Sequence, residues 1–593
     1  MRIRLIVLTV VLMALTATAQ THLPPVFTAT DSARMRPDPI TQVYLVPQRI
    51  VATHRATQSE ALLRLTNGQT ELGRTGMCEM STVAADTASL VLDYGRELHG
   101  GLRLVMGSST KPEPSLVRIR FGESVQECMS TTSNSKPRVG YSTDDHAKRD
   151  IIMEIPRDGQ IEIGNTGFRF VRIDLLRPDV AIRIKEAAAI FRFRDIPYRG
   201  SFRCSDTRLD SIWLTGAYTV HLNMQEFLWD GIKRDRLVWI GDMHPEVATI
   251  NAVFGYNEVV PRSIDFACRE FPLPKWLNNM PAYSMWYLII QYEWWMSHAD
   301  HDYLERHRGY ITGLIDQLDH AVDSEGEFHG NCFLDWPSQA DKRGVRTGVK
   351  ALLVWSMTDA AELCRVLGDT ARATTCRAIA TRLSAHIAPP TSLRQAAALM
   401  AISGTLSPQT MYSRYIDGIR GFSTFYGYYL LEAEARAGRY REAIDAIRQY
   451  WGGMLDLGAT TFWEDYDPAW GQGTNRIDQL GDPKKKNAHG DFGAYCYPGF
   501  RGSLCHGWAS GPTAWLSRHV LGVQVKEPGC RRISIEPHLG DLSWAEGSYP
   551  TPYGNIQVRH ERRADGSLHT RITRPRQVQV DCAVADCTIK VSR

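Results

Sequence analysis

The feature that most constrains the fold is a double change of hydrophobic period. From about Gln20 to Ile196 apolar residues alternate with polar ones, as in Val117-Arg118-Ile119-Arg120-Phe121 and Val171-Arg172-Ile173-Asp174-Leu175. Such short runs, broken by Gly and Pro, predict an antiparallel sandwich with one face packed. From Ser205 the period becomes helical. Ser205 or Asp206 is placed to cap a helix in which Leu209, Ile212, Trp213 and Ala217 recur at three and four. Roughly ten to twelve helices fit before Gly522, with no strand run between them. No fixed repeat length links them, so a closed toroid of paired helices is expected rather than an open solenoid. After Pro528-Gly529 strand character returns, as in Asn555 to His560 and Leu568 to Thr573, with a turn at Thr551-Pro552-Tyr553-Gly554. The expected fold class is multidomain: residues 20–199 an N-terminal β-sandwich, 200–524 the helical toroid and 525–593 a small C-terminal β-sandwich. A domain that small buries little surface alone and is expected to lean on the toroid.

Residues 1–19 read as a signal peptide. Arg2 and Arg4 precede the apolar run Leu5 to Leu15, and Ala17-Thr18-Ala19 forms a small-residue cleavage site. Export to the periplasm or medium is expected, and no later segment is apolar for long enough to span a membrane. The formal net charge of +3 and the lack of a dense Lys/Arg run argue against nucleic acid as a partner. The twelve cysteines contain no C-x-x-C pair, so zinc spacing is absent and no metal site is expected. Most of these thiols are expected to be buried small hydrophobes. Phosphate-binding loops, HExxH and G-x-S-x-G are also absent.

Chemistry concentrates in two acidic stretches rich in aromatics. Trp229 to Glu246 reads WDGIKRDRLVWIGDMHPE and contains Asp230, Asp235, Asp242 and Glu246, with Lys233, Arg234 and Arg236 available to hold some of them ionised. Gly458 to Trp470 reads GATTFWEDYDPAW and contains Glu464 beside Trp463. Its small lead-in, Gly458 to Thr461, is expected to let backbone approach a ligand. Hydrolysis of a glycosidic bond requires one protonated and one ionised carboxyl group, their pKa values set apart by environment. Asp335-Trp336 pairs a hydroxyl acceptor with a ring that suits a sugar face. His506 lies in a Gly/aromatic loop. Structural ion pairs and core aromatics explain each stretch equally well when taken alone.

Together these residues resemble the bacterial α-L-rhamnosidases of glycoside hydrolase family 78. The resemblance runs through Leu92-Asp93-Tyr94-Gly95, Gly200-Ser201-Phe202, the charged loop, Asp335-Trp336, Gly458 to Glu464, Ser503 to His506 and Thr551 to Gly554. It implies an (α/α)6 barrel between β-sandwiches, an inverting hydrolase without cofactor, and a glycan bearing terminal α-L-rhamnose as substrate. It also implies that Glu464, in the matching G-A-T-T-x-W-E pattern, is the general base. Asp230, Asp242, Asp335 and His506 would bind sugar hydroxyls, while Trp239, Trp336 and Trp463 shape the pocket. The chain departs from the family in the acid loop. The family pattern D-C-P-Q-R-D-E-R-L-G-W-T-G-D becomes D-G-I-K-R-D-R-L-V-W-I-G-D, one residue shorter. Aligned back from Asp242, Asp235 takes the place of the acid Glu; aligned on Arg234-Asp235, that Glu is deleted. Asp235 is the expected acid, with Asp230 and Asp242 as alternatives. Another terminal sugar, or a binding protein without activity, remains open.

Overall fold

The computed structural model describes residues 38–71, 75–130, 149–495 and 497–592, together with Val26, Arg34 and Arg36. The signal peptide, most of the polar stretch from Ser130 to His146, and Cys496 lie outside the described residues.

The N-terminal region is antiparallel throughout. Nine strands join in one branched hydrogen-bonded network instead of two separate sheets. Its centre is the 22-residue strand Ala88–Ser109, paired with Gly159–Leu175 and Ala181–Phe193. The first of those pairings shifts register between Asp93 and Leu98 and again between Gly100 and Leu102. Inward positions such as Leu90, Leu92, Leu102, Ile173 and Ile184 form its core. A five-residue helix, Val125–Met129, is capped by Ser124, whose side chain accepts from Glu127 N–H.

The helical region opens with Thr207–Asn223, capped by Asp206 accepting from Arg208 N–H. Thirteen α-helices follow one another from Thr207 to Trp515 among the described residues. The first packs on both Tyr440–Asp456 and Gly511–Trp515, which closes the ring. The helix Pro281–His298 starts where it does because Asn278 sits at φ 51° and Pro281 takes the first helical position. Two short helices, His301–Arg306 and Arg308–His320, meet at His307. Arg394–Ser403 and Pro408–Tyr415 were not resolved by periodicity. The first is buried on nearly every face and shows no polar stripe.

The C-terminal strands form a five-stranded and a three-stranded sheet. The turn at Thr551 to Gly554 joins Trp544–Thr551 to Gly554–Arg562 as expected. The edge strand of the five is Ser201–Cys204, from the start of the helical region, paired antiparallel to Trp544–Thr551. Ile556, Val558, Ile572 and Val578 share one apolar cluster with the helices, so the small sheets have no core of their own. No helix among the described residues is long and apolar enough to cross a membrane. Seven of the eleven described cysteines are buried and all eleven are free thiols.

Candidate active site

Three distant segments are laced together at one end of the toroid. Gly231 forms a β-bridge with His506, and Gly507 N–H donates to the Asp230 carbonyl. His506 N–H donates to the Phe462 carbonyl, and Glu464 N–H to that of Ser503. A side chain at Gly507 would collide with the Glu246 carboxyl group, so only glycine lets these segments close. The charged loop is itself pinned shut. Leu237 N–H donates to Asp230 Oδ1 at 2.9 Å, and Asp235 and Arg236 both take left-handed backbone, φ 57° and 51°. Two such residues in succession are strained, and strain of this kind collects at functional sites.

The result is a cavity of about 350 Å³. Asp230, Asp235, Asp242, Trp239, Trp336, Glu464 and His506 all line it. Asp335, expected to bind hydroxyls, and Trp463, expected to shape the pocket, are not among its lining residues. The Asp335 carboxylate accepts from Ser338 N–H and Ser423 Oγ and fixes the turn that presents Trp336. Trp463 is 1% exposed and meets Tyr466 edge-on, because Glu464, its neighbour, takes the inward direction. The lead-in is also corrected. Gly458 O accepts from Arg169, Thr460 Oγ1 accepts from Glu97 N–H and Thr461 Oγ1 donates to Leu504 O. Gly458 and Thr460 thereby tie the Glu464 segment to the β-region, and Thr461 ties it to the loop at Leu504.

Arg234 organises the electrostatics. One of its terminal nitrogens grips Glu464 at 2.6 and 2.5 Å, and the other sits 3.1 Å from Asp235 Oδ2. Burial would raise the Glu464 pKa, but Arg234, His506 and the Ser503 N–H outweigh it and hold the carboxyl below its ordinary value. For Asp235 burial prevails over Arg234, and Asp230 and Glu464 add repulsion, so its pKa rises to about 7. Asp242 is pushed up to about 8, chiefly by burial, and accepts from Tyr283 Oη at 3.1 Å. Glu246, fully buried beneath them, is raised well above the carboxylate range by burial. His506 Nε2 lies 3.5 Å from Glu464, 3.6 Å from Asp230 and 3.9 Å from Asp242. Those carboxylates outweigh burial and lift its pKa above the ordinary imidazole value. Within one cavity, then, the Glu464 carboxyl is held below its ordinary pKa, those of Asp235 and Asp242 are raised, and the His506 imidazole is raised.

Tyr283, Phe333, Tyr497, Arg501 and Trp508 also line the cavity and escaped the sequence reading. Trp508, two residues beyond His506, had the clearest local signal; Tyr283 lies within the aromatic helix Pro281–His298, where nothing separates a lining ring from a core ring.

Among the described residues, Glu123, Glu127 and His489 offer ligand atoms within 4.8 Å of one another. Lys233 Nζ already lies 2.9 Å from Glu127 and 3.3 Å from Glu123, and Arg149 lies 2.9 Å from Glu127. Both ring nitrogens of His489 are engaged, with Ser124 and Gly502. This cluster is an internal ion network, complete without a metal.

Residues 197–392 match the family model for the bacterial alpha-L-rhamnosidase six-hairpin glycosidase domain, and residues 522–588 match that for the bacterial alpha-L-rhamnosidase C-terminal domain. An alpha-L-rhamnosidase of Alteromonas sp. (strain LOR) is 23% identical over 540 residues, covering 82% of this chain and 54% of that protein. The GH78 rhamnosidase of Bacillus sp. GL1 superposes with a TM-score of 0.70 at 21% identity, covering 88% of this chain and 56% of the other. A Klebsiella oxytoca rhamnosidase with rhamnose bound gives 0.63 at 18%, covering 81% and 96%. The chain spans about half the length of the Alteromonas and Bacillus proteins. Two domain types of the bacterial alpha-L-rhamnosidases are thus matched in order on this chain, the six-hairpin glycosidase domain and the C-terminal domain, and its fold is that of the GH78 rhamnosidase structures.

Proposed function

We propose that the protein is an exported, inverting exo-glycosidase that hydrolyses terminal α-L-rhamnose from oligosaccharides or polysaccharides. One observation carries this reading. Asp235 and Glu464 flank the same guanidinium in the same cavity, with their pKa values displaced in opposite directions. That is the division of labour glycoside hydrolysis needs. Asp235 protonates the departing oxygen. Glu464, ionised, takes a proton from water on the opposite face of the sugar. Asp230, Asp242 and His506 bind hydroxyls, and Trp239 and Trp336 bound the ring. Asp335 and Trp463 act through Trp336 and Glu464. The apolar run Leu5 to Leu15 is the basis for export. Incubation with an aryl α-L-rhamnoside, followed by NMR, tests the reading: the first anomer released is β. Initial release of the α anomer rejects inversion, and release of a different sugar from a glycoside panel rejects rhamnose.

The pH profile follows from the same two groups. The acid must be protonated, so activity falls as pH rises through about 7. The base must be ionised, so activity also falls below the depressed pKa of Glu464, on the acid side of 4.5. A level region between these limits is expected in kcat/KM. An optimum above pH 8 would contradict the assignment of Asp235.

Asp242 supports a second assignment of the acid, since it too lines the cavity with a raised pKa. Leaving groups separate the two. An aryl group that departs without protonation bypasses the acid, so Asp235→Asn is expected to keep most turnover of a nitrophenyl rhamnoside. On an alkyl or glycosyl rhamnoside it loses about 10²-fold or more. Asp242→Asn is expected to weaken both substrates alike. The reverse pattern moves the acid to Asp242.

A further inference from the structure

A second and larger cavity of about 1110 Å³ lies beside the catalytic one. Three segments step from the first to the second. Trp336 lines the catalytic cavity and Pro337 the second; Glu464 lines the catalytic cavity and Asp465 the second; Tyr497 lines the catalytic cavity and Tyr495 the second. The two spaces therefore share a wall to which these three segments contribute. On that wall the Tyr495 hydroxyl donates to the Pro337 carbonyl at 3.2 Å, which fixes a ring that is itself 51% exposed. Trp336 is likewise exposed on the catalytic side, so an open ring stands on either side of the shared wall.

The charge of the second cavity selects its occupant. Five aspartates line it, Asp341, Asp417, Asp465, Asp467 and Asp491, against Arg394 and Arg420. Both arginines approach Asp417, at 3.8 and 3.4 Å. Asp465 forms no ion pair among the described residues. A space with spare carboxylates and an open ring accepts hydroxyls and a sugar C–H face, and repels uronates and sulfate esters.

We propose that this cavity is a subsite for the uncharged sugar residues that follow the terminal one, with Tyr495 as the stacking ring and Asp465 as a hydroxyl acceptor. The inference rests on the glycosidase reading of the adjacent cavity. It is tested with a neutral rhamno-oligosaccharide, its uronate-containing counterpart and an aryl α-L-rhamnoside that fills only the catalytic cavity. The wild type is expected to favour the neutral oligosaccharide over the uronate-containing one. Tyr495→Ala lowers kcat/KM for the neutral oligosaccharide about tenfold and leaves the aryl rhamnoside within about twofold. Tyr495→Phe, which keeps the ring, restores most of the loss. Asp465→Asn narrows the preference against the uronate substrate. Equal losses on oligosaccharide and aryl substrate, or no loss on the oligosaccharide, overturn the subsite. If the wild type cleaves no rhamnoside, the catalytic reading has failed, and calorimetric titration with the same neutral oligosaccharide decides the subsite. Binding that Tyr495→Ala removes supports it, and absence of binding, or binding that survives the substitution, overturns it.

Discussion

Glu464→Gln is expected to lower kcat on an α-L-rhamnoside by about 10²–10⁴-fold while the protein stays folded. An amide cannot take a proton from water, yet it matches the carboxylate in size. Its oxygen still accepts from Ser503 N–H, which now lies 3.0 Å from Glu464 Oε2. The carbonyl of residue 464 still accepts from Thr424 Oγ1 and Trp508 Nε1, so the backbone keeps its place. What the variant loses is the partner of Arg234, whose charge then turns wholly to Asp235 and lowers its pKa. Both effects act against turnover. Stopped assays over hours, alongside circular dichroism and the unfolding midpoint, check the result. A correctly folded variant that keeps a tenth or more of wild-type kcat would remove Glu464 from the role of base.

Lys233→Met is expected to cost about 3–5 kcal/mol of stability, the loss seen when one member of a buried ion network is removed. Lys233 is 3% exposed and joins the helical region to the β-region. Its ammonium reaches Glu123 and Glu127 on one side and the carbonyls of Phe500 and Gly502 on the other. Glu123 in turn accepts from Leu504 N–H at 2.7 Å, directly behind the catalytic loop. Burial works to raise the Glu127 pKa, but Arg149 and Lys233 bring it down to about 2. Its folded value is thus below its unfolded one. The contribution is present above about pH 4.5 and is lost as pH falls toward 2. Without Lys233 that depression shrinks, and the variant is expected to unfold at higher pH during acid titration than the wild type. Urea unfolding at neutral pH measures the cost; a change under about 1 kcal/mol would show that Arg149 alone suffices.

Much of this architecture was legible from period and punctuation. The change from alternation to helical spacing near Ser205 and back after Pro528 is a local property of side-chain sequence, and the helix cap at Asp206 is a short-range bond. Asp230, Asp235, Asp242, Glu464 and His506, singled out by their place beside Trp and Gly and by the family resemblance, all line one cavity. Direction was not legible. Asp335 and Trp463 sit in irregular backbone, where no period says which way a side chain points, and both turned out to lie behind the cavity wall. Arg234 was legible as a charge, but not as the residue that holds both carboxylates, since its bond to Glu464 spans 230 positions. Tyr283 and Tyr497 reach the cavity only through closure of the ring, which no single segment encodes.

The strand Ser201–Cys204 has a consequence for synthesis. Its partner Ser548 lies 347 positions further along the chain. At about 5–20 residues per second, the ribosome takes roughly 20–70 s to make that partner. Throughout that time the strand is a bare edge, of the kind that recruits foreign strands. Its brevity, four residues, and the Arg203 and Ser201 side chains facing outward limit that hazard. The strand that covers it leaves the ribosome only after the whole ring, so a chain cut short before Trp544 would carry a complete ring of helices with an open seam.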